Sequence, residues 1–94
     1  MAKATWNGVV LAESDNCIIV EENHYFPPDS VNHEHLVPSD LRSTCPWKGE
    51  AHYYDVIVGT DVKKDAAWHY PVPKPAARQI ERHVAFWKGV EIQP

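Results

Sequence analysis

The stretch Ala51-His52-Tyr53-Tyr54-Asp55-Val56-Ile57-Val58 decides the fold. Aromatic and β-branched residues fit a pleated, half-buried surface, and here they run unbroken by Gly or Pro. The run is entered through Lys48-Gly49-Glu50 and left through Gly59-Thr60-Asp61, two clusters of turn-forming residues. Asp65 to Tyr70 has the same character, and the spacing predicts an antiparallel hairpin across Gly59 to Lys64, near the centre of a sheet.

Outward from that hairpin the chain reads as short strands. Ala4-Thr5-Trp6 turns through Asn7-Gly8 into Val9-Val10-Leu11-Ala12, and Asn-Gly between apolar segments is the strongest short hairpin signal. Cys17-Ile18-Ile19-Val20 and His24-Tyr25-Phe26 are further extended pieces, the second stopped by Pro27-Pro28. Pro28-Asp29-Ser30-Val31 starts a single helical turn with Asp29 or Ser30 as its cap. His33 to Val37 reads as extended and is broken by Pro38-Ser39-Asp40. Pro71-Val72-Pro73-Lys74-Pro75 must lie outside any central ladder, because proline donates no backbone hydrogen bond. A helix of about two turns follows, with Pro75 in its first turn and Ala76, Ala77, Ile80 and Val84 as an apolar stripe. His83 to Trp87, Lys88-Gly89 and Val90 to Ile92 read as a closing hairpin. The expected architecture is mainly β: a small single domain over residues 1–94, made of short antiparallel strands in open sheets or a partial barrel, with one short C-terminal helix.

Composition agrees. Ninety-four residues make one domain, which buries roughly two-thirds of its unfolded surface. Ten aromatic rings supply much of the apolar area, while leucine occurs only at Leu11, Leu36 and Leu41. Nine basic against thirteen acidic side chains give a net charge of −4, with Lys63-Lys64 as the one basic cluster, so no nucleic-acid partner is expected. No apolar run reaches membrane-span length and Met1-Ala2-Lys3-Ala4 lacks a signal core, so a cytoplasmic protein without a membrane partner is expected; the oligomeric state stays open, a monomer among the alternatives. Two cysteines far apart, Cys17 and Cys45, read as free thiols.

The chemistry gathers in Thr44-Cys45-Pro46-Trp47-Lys48-Gly49-Glu50 and Asp65-Ala66-Ala67-Trp68-His69-Tyr70-Pro71. Tyr25, Trp47, Trp68 and Tyr70 flank the longest strand, and convergence would make an aromatic pocket for a flat ring or a cation, with Lys48 to pair an anionic group. Cys45, in a turn beside Lys48, is the candidate nucleophile, with His83 or His69 as its base; packing as a small apolar side chain is the alternative. Cys17 reads as core. His33-Glu34-His35 would place two imidazoles on one strand face, with His24 as a third ligand, but the thiolates of a closed zinc site are missing, so no metal and no cofactor is expected.

Five blocks carry a family resemblance: Trp6-Asn7-Gly8, Tyr25-Phe26-Pro27, Cys45-Pro46-Trp47-Lys48-Gly49-Glu50-Ala51, Ala66-Ala67-Trp68-His69-Tyr70 and His83-Val84-Ala85-Phe86-Trp87. In this order they resemble the bacterial and fungal family catalogued as domain of unknown function 427, over nearly the whole chain. The resemblance implies a mainly-β domain similar to the β-tent, or Mss4-like, folds of methionine sulfoxide reductase B, Mss4 and the thalidomide-binding domain of cereblon. The family also carries a nucleotidyltransferase label, which implies a transferase. The cereblon-like relatives hold a cyclic ligand in a tryptophan cage, which implies a ring pocket around Trp47, Trp68 and Tyr70. Three functions stay open: a binder of a small ring-containing or anionic ligand at Tyr25, Trp47, Lys48, Trp68 and Tyr70; an enzyme using Cys45 with a histidine base; and a non-enzymatic interaction domain.

Overall fold

The computed structural model describes residues 1–94. β1 (Ala2–Trp6) and β2 (Val9–Ser14) pair across Asn7-Gly8, whose φ values of 50° and 76° are the left-handed pair that a two-residue hairpin turn requires. β3 (Ile18–Val20) and β4 (Asn23–Tyr25) form a second hairpin, then 3₁₀ turns follow at Pro28–Ser30 and His33–His35. β5 (Leu36–Cys45), β6 (Gly49–Val58) and β7 (Asp61–His69) meander, and a 3₁₀ helix at Pro75–Ile80 leads to β8 (Ala85–Phe86) and β9 (Glu91–Gln93). The strands make three open antiparallel sheets, ordered β2-β1-β9, β3-β4 and β5-β6-β7-β8. The chain is mainly β, as its composition predicts.

The central hairpin forms, but its turn is tighter than expected. Only Gly59-Thr60 separates the strands, and the surplus residues are absorbed as a bulge: Tyr54 faces Ala67 while Val56 faces Lys63. Asp65 takes a φ of 56° there, and its N–H donates to Asp55 Oδ1 at 2.9 Å, which replaces the ladder bond lost at the bulge. Pro38-Ser39-Asp40 does not end its strand. β5 is an edge strand with an irregular register between Pro38 and Arg42, the setting in which a proline is tolerated.

Other boundaries move for tertiary reasons. His33–His35 is a 3₁₀ turn rather than an extended segment. The 28–30 turn has no side-chain cap; Ser30 Oγ donates to the Pro27 carbonyl at 2.7 Å. The C-terminal helix is six residues of 3₁₀ type, kinked at Ala77, and buries Ala77 and Ile80. Val84 leaves its stripe and exchanges backbone hydrogen bonds with Phe26, at 2.8 and 2.9 Å. The last residues do not close on each other as a hairpin: β8 joins β7 and β9 joins β1, so the chain end ties two sheets together.

The period-two alternation of β6, β7 and β8 sends side chains into two apolar clusters on opposite faces of the four-stranded sheet. Val56, Ala67 and Phe86 join Leu11, Phe26 and Val31 in the larger one, where Phe26 and Phe86 meet edge to face at 5.8 Å. Ala51, Trp68 and Ala85 join Tyr25, Tyr70, Ala77 and Ile80 in the smaller one. Enclosing a side chain such as Leu11, Phe26 or Ile80 contributes roughly 1.5–3 kcal/mol. No helix is long and apolar enough to cross a membrane.

Candidate functional site

The smaller cluster ends at a rim built from three turns. One is the 45–49 connection between β5 and β6, the second is Glu21-Glu22 between β3 and β4, and the third is the proline strap after β7. The strap lies against the first turn: the Lys74 N–H donates to the Lys48 carbonyl at 2.8 Å, and Lys74 Nζ donates to the Pro46 carbonyl at 2.7 Å. Gly49 serves here through its φ of 120°, a backbone conformation that residues with a side chain rarely adopt; a Cβ there would make only ordinary contact, at 3.4 Å, with the Val72 carbonyl oxygen.

Lys48 is the centre of the rim. The residue is only 5 % exposed, the one buried charged side chain in the molecule. Its ammonium is ion-paired with Glu21 Oε1 and lies 5.4 Å from the Trp47 ring centroid and 5.6 Å from that of Tyr70, within cation–π range of both. Burial pulls the lysine pKa down, but the Glu21 hydrogen bond, with Tyr25, Tyr70 and Cys45 nearby, outweighs it and leaves the value above that of an ordinary lysine. The hydrogen bond from Lys48 is also the main reason the Glu21 carboxyl falls below its usual range, with the Lys48 charge and Trp47 adding to it against partial desolvation. Burial, then Tyr25, pushes the Tyr70 phenol up to about 12, with Lys48 opposing.

The five residues singled out as ligand-binding do come together, but in two roles. Tyr25, Trp68 and Tyr70 are packed as a floor: Tyr25 meets Trp68 edge-on at 6.2 Å and Tyr70 at 6.5 Å, and Trp68 Nε1 donates to the Tyr25 hydroxyl at 3.2 Å. Trp47 stands above them, 40 % exposed, with Nε1 turned to Glu21 Oε2 at 3.5 Å. Trp47 and the Lys48–Glu21 pair therefore form the outer part of the rim, with the buried Tyr70 ring against the Lys48 ammonium.

Cys45 is the last residue of β5, opposite Gly49, half-buried against the smaller cluster and close enough to help raise the Lys48 pKa. His83 makes no hydrogen bond to it; His83 Nδ1 donates to the Glu81 carbonyl at 2.9 Å. His69 is stacked on Tyr54 at 4.8 Å. The thiol thus has no hydrogen bond to either proposed base. His33 Nε2 donates to the Pro28 carbonyl at 3.2 Å and His35 Nδ1 to the Ile57 carbonyl of β6 at 2.9 Å, so each imidazole is engaged with a backbone carbonyl. Cys17 packs on the larger core and also lines an open cleft of about 200 Å³ with Ser14, Asp15, Ile19 and His24; burial raises its thiol pKa.

Two residues escaped the reading of the sequence. Glu21 reaches Lys48 only because a two-residue turn holds Glu21 and Glu22 at φ 51° and 70°, and no glycine marks that turn. Trp87, 43 % exposed, lies 5.5 Å from Trp68 and 6.2 Å from Tyr53, with Lys88 Nζ 5.0 Å from its ring.

A small mainly-β domain with a buried lysine clasped between rings at a turn-built rim is the class that the fold and site define. Residues 1–93 match the family described as Domain of unknown function (DUF427), and the chain belongs to that family. No curated protein matches the chain.

Proposed function

We propose that this domain binds a small anion carrying a flat ring, whose carboxylate or phosphate takes the place of Glu21 on Lys48 while the ring stacks on Trp47. One observation carries the reading: a buried ammonium has as its carboxylate partner a side chain that is itself half-exposed. A buried cation left unpaired is strongly unfavourable, so Lys48 holds some anion at all times. Glu21, at the surface, is rehydrated when it leaves. A ligand anion can thus exchange with it at little net electrostatic change, and ring contact on Trp47 supplies the preference for the ligand. The β-tent assignment belongs to this reading and rests on the sequence resemblance.

The enzyme reading keeps one supporting feature, the proximity of Cys45 to the Lys48 charge, but no imidazole is hydrogen-bonded to the thiol to accept its proton. Binding is therefore the better-supported function. A thermal-shift screen of aromatic carboxylates and aryl phosphates tests it, because a ligand of the native state raises apparent stability. Hits that fail to shift a Lys48→Met variant support the reading. Hits that shift it equally, or a screen in which only neutral rings bind, reject it.

A further inference from the structure

The opposite face of the four-stranded sheet carries a second group of polar residues that the Lys48 site does not use. The strand registers place Arg42 of β5 opposite His52 of β6, and His52 opposite His69 of β7, a continuous cross-strand row. Arg82 is brought to the end of the row by its own N–H, which donates to the Tyr70 carbonyl at 3.1 Å. It does so with a φ of 61°, a left-handed conformation uncommon for a residue with a side chain. Tyr54 backs the row, stacked on His69, and the two imidazoles meet edge to face at 5.9 Å.

The charges of this row are unbalanced in a chain that is acidic as a whole. The five ion pairs of the molecule engage the N-terminus, Lys3, Lys48, His52 and Lys64; neither Arg42 nor Arg82 is in one. Arg42 is instead fixed by donating from one guanidinium nitrogen to the Ser39 and Leu41 carbonyls, at 3.0 and 2.8 Å, which leaves its other N–H groups free. Glu50, on the same strand face, is engaged with His52 Nε2 at 2.9 Å, and Glu81 is the neighbour of Arg82 in the chain. Between the arginines, His69 holds a buried Nδ1 with no hydrogen-bond partner.

We propose that Arg42 and Arg82, with His52 and His69 between them, form a binding site for a phosphoryl group, free or as a monoester. Two guanidiniums without carboxylate partners supply the charge that a dianion needs, in the planar donor geometry that matches phosphate oxygens. Both arginines, together with His52, add to burial in holding the His69 imidazole neutral, and a bound dianion would reverse that effect. The site shares no residue with the Lys48 rim and stands whether or not that reading holds.

The test is a titration of inorganic phosphate into the full chain at constant ionic strength, followed through the His52 and His69 ring resonances. Saturable shifts in both rings are expected, with a rise in the His69 titration midpoint. Arg42→Gln and Arg82→Gln should each weaken the apparent affinity about tenfold, as expected for loss of a charge-assisted donor. Lys48→Met should leave it unchanged, which separates this site from the other. Methyl phosphate assigns the source: tighter binding than inorganic phosphate identifies a monoester, weaker binding the free ion. Shifts that never saturate, or equal affinity in wild type and in both well-folded arginine variants, overturn the proposal.

Discussion

Acidification should destabilise this protein through one imidazole. The His69 pKa is pulled from 6.5 down to about 4, first by burial and then by His52, Arg82 and Arg42, against a weaker backbone interaction with His52. Its folded value lies below its unfolded value, so the unfolded chain takes up the proton first as pH falls. The stabilisation is complete above about pH 6.5 and is lost progressively as pH falls towards about 4. The gap sets a ceiling of about 3 kcal/mol, and because the ring is only half-buried, solvent screening brings the expected loss to about 1–2 kcal/mol. His69→Phe keeps a ring stacked on Tyr54 and has nothing to titrate. Urea unfolding of both proteins from about pH 7 down to about pH 4.5 gives the comparison. Wild type should lose about 1–2 kcal/mol more than the variant over that range. Equal losses in the two proteins would show that the fold does not hold His69 neutral, and the argument would be wrong.

Four further substitutions have expected outcomes. Glu21→Gln should lower the melting temperature, because it leaves Lys48 buried and unpaired, whereas Lys48→Met should leave it unchanged or raise it, because the released Glu21 is hydrated at the surface; the same sign for both would contradict the asymmetry. Tyr25→Phe removes the acceptor of Trp68 Nε1 inside the smaller cluster and should cost about 1–3 kcal/mol in denaturant unfolding, with the tryptophan emission altered. Gly49→Ala must hold a side-chain residue at a φ of 120° and should destabilise by about 1–3 kcal/mol in denaturant unfolding.

Much of the fold was legible because its signals are local. Asn7-Gly8 carries its own turn geometry, and the aromatic, β-branched run from Ala51 to Val58 has no competing helical pattern. What the sequence concealed depends on partners far along the chain. Pro38 ends a strand by local rules but survives in β5 because that strand has only one neighbour. The final strands look like a hairpin until β1 and β7 offer each of them an open edge. At the site, Lys48, Trp47, Trp68, Tyr70 and Tyr25 stood out by residue type and clustering. Their division into a buried floor and an exposed rim was not readable, since all four rings look alike in sequence. Glu21 was hidden most completely: an acidic residue in a turn is ordinary, and only the β3–β4 register carries its carboxylate to a lysine 27 residues away.

The exchange of Glu21 for a ligand anion is the central claim, and calorimetric titration of 1-naphthoate into three proteins measures it directly. Removing the internal competitor should make Glu21→Gln bind more tightly than wild type, by about tenfold for a competing charged hydrogen bond. Lys48→Met should show no measurable binding, while retaining a folded spectrum. Weaker binding by Glu21→Gln than by wild type, or undiminished binding by Lys48→Met, would contradict the account.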